Sequence, residues 1–215
     1  MSKRHIAIFT RAPIAGASKT RLIPLLGANG AAYAQRVMTW HALEIACALP
    51  DASVSLWCAG DVAHPFLQLC STHFQVECRS QCDGDLGMRM ADCLRLGLAL
   101  HERMLLIGSD CPAMASTDLA QAAAALDDAR MVFIPAEDGG YVLVGARRGG
   151  LEAGCFDDVI WGSAEVMAQT RQRLTTKGWR SGEDWTEMPA LWDLDTPEDF
   201  QRAFTETGIR LAVPN

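Results

Sequence analysis

The run LLIGSDCP at residues 105–112 carries the strongest signal for a buried strand with an acid at its end. Leu105, Leu106 and Ile107 form an apolar run that stops at Gly108-Ser109, and Asp110 follows beside Pro112. An apolar run bounded by turn residues reads as a strand buried on both faces, as in a parallel α/β sheet. In open parallel sheets, ligands bind beyond the carboxyl ends of the strands. Asp110 is therefore aimed where a metal or a phosphate-bearing substrate would sit. Its plainer role is to cap the helix that follows Pro112.

A second strand end sharpens the case. RMVFIP at 130–135 is another apolar run, followed by AEDGG at 136–140 and a further apolar run from Tyr141 to Gly145. Asp138-Gly139 alone would serve a tight hairpin. Two adjacent acids and two adjacent glycines are more than a hairpin needs, and glycines also let backbone approach a ligand closely. Hard cations such as Mg²⁺ take oxygen ligands, commonly one or two carboxylates plus substrate phosphates.

Outward from these two points, strand and helix patterns alternate. Strands are expected at 4–9, 54–59, 74–78, 104–107, 131–134 and 141–144. Helices are expected at 30–49, 62–70, 86–100, 116–126 and 163–175. In the helix at 30–49, Ala34, Val37, Met38, Ala42, Ile45 and Leu49 recur at three- and four-residue steps. A last helix starts at Thr196-Pro197-Glu198-Asp199, with Thr as cap, Pro in the first turn and acids against the dipole. The polar, Trp-containing stretch 178–188 yields no assignment. Alternation of this kind implies a mostly parallel sheet with helices on both faces. Its length of 215 residues suits one domain spanning 1–215.

Composition excludes several classes. A net charge of −7 argues against nonspecific binding to nucleic acid or to an anionic membrane. No apolar run approaches the roughly 20 residues that span a bilayer, and the first residues lack the apolar core of a signal peptide. The eight cysteines form no C-x-x-C pair and mostly fall in apolar runs, which reads as reduced core thiols of a cytoplasmic protein. Cys78-x-x-x-Cys82 has no partner pair, so zinc is not expected. His41 lies on an apolar helix stripe as a core residue, while His5 and His101 flank strands and read as surface.

Two loops could hold phosphate or base. TRAPIAGASKTRL at 10–22 follows the first strand and carries Arg11, Lys19 and Arg21, with Pro13 and Gly16 shaping it. Three cations at a strand's carboxyl end suit a di- or triphosphate. A Walker loop is rejected, because Ser18 precedes Lys19 and residue 13 is Pro where glycines must let amides wrap the phosphates. The second loop is QCDGDLGMRM at 81–90, with Gly84, Asp85 and Gly87 able to contact a nucleobase and Asp85 also able to cap the following helix. Arg89 sits early in that helix, unfavourably placed against its dipole, which points weakly to an anionic partner.

Taken together, the segments AP-x-x-G-x-x-KTRL (12–22), GDLG-x-RM (84–90), IGSD-x-P (107–112), AEDGGY-x-L-x-G (136–145) and D-x-DTPED (193–199) resemble the glycosyltransferase-A-like superfamily. More narrowly they resemble the selenodomain-associated glycosyltransferase-like family, relatives of phospholactate guanylyltransferase and the molybdenum-cofactor nucleotidyltransferases. The resemblance implies a Rossmann-like three-layer sandwich of the nucleotide-diphospho-sugar transferase type. It implies a nucleotidyl- or glycosyltransferase that joins a nucleoside triphosphate or nucleotide sugar to a small acceptor, with Mg²⁺ or Mn²⁺. On that reading Arg11, Gly16, Lys19 and Arg21 hold phosphates, Gly84, Asp85 and Gly87 read the base, and Asp110 binds the metal. Lys19, Asp110 and Asp138 are then catalytic, and Gly139, Gly140 and Trp161 lie by the second substrate. Trp161 could equally pack against the sheet. Sugar transferases usually carry two aspartates flanking one residue, whereas Pro112 fills the second position here. Asp193 and Asp195 read first as fixing the turn before Thr196, with one of them available to complete a metal shell. The rival class is a nucleotide-binding module that kept the fold without turnover.

Overall fold

The computed structural model describes residues 4–209. Seven strands form one sheet: β1 (Arg4–Arg11), β2 (Ala52–Ala59), β3 (Glu77–Ser80), β4 (Arg103–Gly108), β5 (Met131–Pro135), β6 (Tyr141–Arg147) and β7 (Trp185–Glu187). Their order across the sheet is β3-β2-β1-β4-β6-β5-β7. All adjacent pairs are parallel except those made by β6, which runs antiparallel to both β4 and β5. The mostly parallel α/β sheet expected from the apolar runs is present.

The helices are α1 (Ile23–Cys47), α2 (Pro65–Phe74), α3 (Leu86–Leu100), α4 (Ser116–Ala125), α5 (Val166–Thr176) and α6 (Pro197–Arg202). They form the outer two layers of a three-layer sandwich. Side chains alternate across a strand, and each central strand feeds both layers. Ile6, Ile8, Leu105, Ile107, Val132 and Ile134 meet Leu43 of α1, Leu67 of α2 and Leu119 of α4. Their neighbours Ala7, Met104, Leu106, Met131 and Phe133 meet Leu94 of α3 and Met167 and Leu174 of α5. Strands buried on both faces lose their polar alternation, which is why 105–107 and 131–134 read as continuous apolar runs.

Several boundaries differ from the sequence reading. The helix expected at 62–70 is α2, shifted because Pro65 takes the first turn and His64 caps it by accepting a hydrogen bond from the Phe66 amide at 3.2 Å. It runs through Phe74 to Gln75 in the left-handed conformation, which moves the strand expected at 74–78 to Glu77–Ser80. In α1, Gly27 has φ 68° and ψ 170°, so regular helix builds only beyond that break, close to the expected start at 30. Strand β7 falls inside the unassigned stretch 178–188; three residues are too few to show a period. His5 is half-buried rather than exposed, held between the Ser53 and Ser55 hydroxyls at 2.8 and 2.7 Å and stacked on His101 at 4.7 Å. All eight cysteines are free. Among the described residues, no helix is long and apolar enough to cross a membrane.

Candidate active site

A cleft of about 480 Å³ opens at the carboxyl ends of β1, β2, β3 and β4 and is flanked by α3 and β6. Its floor is a buried polar network. The two N–H groups of the Gln35 side-chain amide on α1 are shared among the hydroxyls of Thr10, Thr39 and Ser109, each at 3.2 Å. Thr10 and Thr39 hydroxyls lie 2.8 Å apart, and Ser109 donates to Thr10 at 3.1 Å. This network ties the end of β1, the end of β4 and α1 together, and so fixes the residue after Ser109, Asp110. Satisfied buried networks of this kind rigidify what they touch.

Asp110 does not cap the next helix. Ala115 is the residue before α4, and Asp118 reaches back to its amide at 2.8 Å. The Asp110 carboxylate instead accepts from the Lys19 ammonium at 3.2 Å. Lys19 reaches it because the β1–α1 loop is stapled. The buried Ser18 hydroxyl donates to Ala12 O at 2.8 Å and accepts from the Ile14 amide at 3.0 Å. Lys19 then takes a left-handed backbone (φ 47°, ψ 47°), which turns its side chain inward. Burial opposes the ammonium, but the charges of Asp110 and Asp195 overcome that and hold its pKa above the usual lysine value.

Asp193 and Asp195 join Asp110. One carboxylate oxygen from each of the three lies within 4.8 Å of the others. The 191–195 segment is laced across the strand ends. Ala136 bridges to Leu191, the Leu191 amide donates to Pro135 O at 3.0 Å, and the Leu194 amide donates to Asp110 O at 2.8 Å. Arg202 reinforces it, pairing with Glu137 through two bonds at 2.6 and 3.1 Å while lying over the Trp192 ring. The turn-fixing role expected of Asp193 and Asp195 belongs to Asp199. Its Oδ2 accepts from the Asp195 amide at 3.0 Å and from the Thr196 amide and hydroxyl at 2.7 and 2.8 Å. That leaves Asp195 to pair with Lys19 at 3.4 Å and Arg21 at 3.0 Å. Burial, then the charges of Asp110, Asp138 and Asp195, push the Asp193 carboxyl up to about 7. The signal for this pair is in the sequence: in an extended Asp-x-Asp, both carboxylates face the same way, and the intervening Leu194 is fully buried on the other side.

The remaining candidates divide. Arg11, Lys19 and Arg21 line the cleft; Gly16 (φ 83°) shapes their loop without lining it. From the second loop, Gln81, Leu86, Arg89 and Met90 line the cleft, while Gly84, Asp85 and Gly87 do not. Asp85 caps α3, accepting from the Met88 amide at 2.8 Å. A Cβ on Gly87 would lie 2.8 Å from Phe156 O and from the Trp161 ring, so this glycine serves packing. Asp138 is exposed in the β5–β6 hairpin and accepts from the Gly140 amide at 2.9 Å, near enough to Asp193 to raise its pKa. Gly139 (φ 95°) passes so close to the chain before α5 that a Cβ would clash with Ala164 O. Trp161 is half-buried behind Tyr141, edge-on at 6.3 Å, and outside the cleft lining. Gln35 and Gln81 are lining residues that sequence reasoning did not single out.

The sheet order, the β6 reversal and a cleft with carboxylates at strand ends define an α/β fold of the nucleotide-diphospho-sugar transferase type. A protein from Desulfovibrio desulfuricans G20, described as a candidate nucleotide-diphospho-sugar transferase, is 25% identical, with a TM-score of 0.83 over 97% of this chain and 93% of that one. CMP:2-keto-3-deoxy-manno-octonic acid synthetase in complex with CTP shares the fold at 14% identity (TM-score 0.58, 94% and 96% coverage). So does 4-diphosphocytidyl-2C-methyl-D-erythritol synthase from Anaerococcus prevotii, at 11% identity (TM-score 0.60, 94% and 95%). No curated protein matches the sequence. The chain belongs to the family described as "Uncharacterized protein conserved in bacteria (DUF2064)", which matches residues 42–163.

Proposed function

We propose that the protein is a cytoplasmic, divalent-metal-dependent transferase, one domain of this type, that draws its donor from a nucleoside triphosphate or a nucleotide sugar and passes it to a small acceptor. The observation that carries this reading is the convergence of Asp110, Asp193 and Asp195 with Lys19 and Arg21 at the open end of the strands. Three carboxylates offering oxygen to one point suit Mg²⁺ or Mn²⁺, which would neutralise phosphate oxygens as the leaving group departs. Asp110 and Asp195 would hold the ion, with Asp193 completing the set once ionised.

The chain's own residues do the rest. Lys19, Arg21 and the exposed Arg11 supply cations for the phosphates. Arg offers a two-pronged fork and Lys a point charge. The Gln35 network keeps Asp110 from drifting as charge builds, which is the preorganisation that electrostatic catalysis needs. The base end is bounded by Gln81 and Arg89, with Gly84, Asp85 and Gly87 shaping the turn behind them. Asp138, Gly139, Gly140 and Trp161 border the acceptor side, Asp138 adding negative charge toward the cluster.

A thermal-shift screen of nucleoside triphosphates and nucleotide sugars, with and without Mn²⁺, tests the reading. Saturation at a hundred times the dissociation constant adds about 2.7 kcal/mol. Release of pyrophosphate from a triphosphate, or of a nucleoside diphosphate from a nucleotide sugar, then tells the two donors apart. A metal-dependent shift without consumption of any donor would favour the binding module. No shift with any nucleotide would remove the reading.

A further inference from the structure

Lys19 is poorly placed for a residue that only grips phosphate. Its side chain is 6% exposed, and its ammonium already has Asp110 Oδ2 at 3.2 Å, Asp195 Oδ1 at 3.4 Å and Leu194 O at 2.5 Å. An ammonium has three protons, so every donor is committed within the protein. Two of those acceptors belong to the carboxylate cluster itself. Mg²⁺ bonds oxygen at about 2.1 Å, so an ion shared by Asp110 and Asp195 needs the gap that Nζ now fills. Arg21 also pairs with Asp195, but it is 71% exposed and can swing into water freely.

We propose that Lys19 is the resident counter-cation of the carboxylate cluster, that it must leave for a divalent cation to enter, and that polyphosphate is what draws it off. The inference rests on the metal-dependent reading above and adds to it a coupling between the two ligands. Metal alone must evict a buried ammonium that has nowhere to go, leaving an unpaired charge out of water. Polyphosphate alone must pull Lys19 away and bring more negative charge against three carboxylates. With both present, the partners exchange: the metal takes the carboxylates, Lys19 takes phosphate oxygens, and no charge is stranded. Each ligand then raises the other's affinity by the same factor. A simple phosphate clamp predicts something different, since removing it would leave binding of metal alone unchanged.

The test is Mn²⁺ binding followed by electron paramagnetic resonance, without nucleotide, on wild type, Lys19→Met and Lys19→Gln, with Arg11→Ala as a cleft cation that makes no ion pair with the cluster. Circular dichroism checks that each is folded. Like charges at this spacing repel strongly in a partly buried site, so both Lys19 variants should bind Mn²⁺ alone at least about tenfold more tightly than wild type. Arg11→Ala should match wild type. In calorimetry with inorganic tripolyphosphate, Mn²⁺ should raise tripolyphosphate affinity in wild type and do so far less in Lys19→Met. A folded Lys19 variant with unchanged or weaker Mn²⁺ affinity overturns the proposal while leaving the metal site standing. Absence of Mn²⁺ binding in every variant, with and without tripolyphosphate, overturns the metal-dependent reading as well. Wild type gives an independent readout, because the chain holds only Lys3, Lys19 and Lys177. With lysine labelled at ¹³Cε, saturating Mg²⁺ and tripolyphosphate should move the Lys19 signal; a signal that stays fixed while both are bound overturns the exchange.

Discussion

Replacing Asp193 with asparagine should stabilise the metal-free protein, and the gain should grow with pH. The Asp193 carboxyl is pushed up to about 7 by burial and by the charges of Asp110, Asp138 and Asp195. In the unfolded chain it titrates near the usual Asp value of about 3.9. Below that value both states are protonated and the group contributes nothing. As pH rises from about 4 to about 7, the unfolded chain ionises freely while the folded one resists, so stability is lost across that window and stays lost above it. At about 1.36 kcal/mol per pKa unit the full cost is about 4 kcal/mol. The carboxyl is only partly buried, and screening by water reduces this to about 2 kcal/mol. Asp193→Asn keeps the shape and removes the charge. In chelator at pH 8 it should therefore raise stability by about 2 kcal/mol, or about 4–8 °C in Tm for a chain of this size. At pH 5 the gain should fall below half of that. Urea unfolding at the two pH values measures it, and the same variant should lose metal-dependent stabilisation. A variant that is destabilised at pH 8, or equally stabilised at both pH values, would refute the crowding of carboxylates on which the candidate site depends.

Other perturbations separate the parts of the cleft. Lys19→Ala should weaken nucleotide binding in the presence of metal by about 2 kcal/mol or more, since the ammonium itself is almost fully buried; Arg21→Ala, on an exposed pair, should cost under about 1 kcal/mol. Calorimetry with Mn²⁺ resolves the two, and equal effects would mean that burial is not what matters. Asp110→Asn should lower turnover by on the order of a hundredfold, each 1.36 kcal/mol of lost stabilisation being about tenfold in rate, with nucleotide affinity changing less. Gly139→Ala should destabilise the fold by about 3 kcal/mol, because the new methyl would collide with the Ala164 carbonyl at a left-handed φ of 95°. A Tm within a degree of wild type would show that the hairpin can move aside. Asp199→Ala should cost about 1–2 kcal/mol through the lost cap and should also loosen Asp195, seen as weaker Mn²⁺ binding in the ternary complex.

The sheet was readable because its strands are buried on both faces. Runs such as 105–107 and 131–134 have no solvent face to interrupt them, and Gly108 and Pro135 mark where the chain leaves the sheet. The short edge strand β7 was not readable: its pairing to β5 is set by tertiary contact, not by local pattern. Position points to Asp110, two residues past β4, and to Lys19 in the loop that follows β1, and the family resemblance gives them roles. Asp193 and Asp195 read first as fixing the turn before Thr196, with one of them available to complete a metal shell, because acids before a helix commonly cap it. Only the fold shows that Asp199 takes the whole turn and frees them. Two glycines of the candidate site have a packing reason of their own. Gly87, in the first turn of α3, and Gly139, in the β5–β6 hairpin, lie outside the cleft lining, and their missing side chains make room for Trp161 and Ala164. A close approach can be to a neighbouring chain segment as readily as to a ligand, and sequence does not distinguish the two.

The carboxylate cluster should take a divalent ion together with a nucleotide. Mn²⁺ titration followed by electron paramagnetic resonance, on wild type and Asp110→Asn with ATP, CTP, GTP and UTP in turn, reads this out. Wild type should bind Mn²⁺ weakly alone and at least about tenfold more tightly with its cognate nucleotide, since few protein ligands and several phosphate oxygens then share the ion. Asp110→Asn should lose that gain. A wild type with no nucleotide-dependent Mn²⁺ signal, or an Asp110→Asn protein that keeps it, would rule out a metal-bridged nucleotide at this cluster.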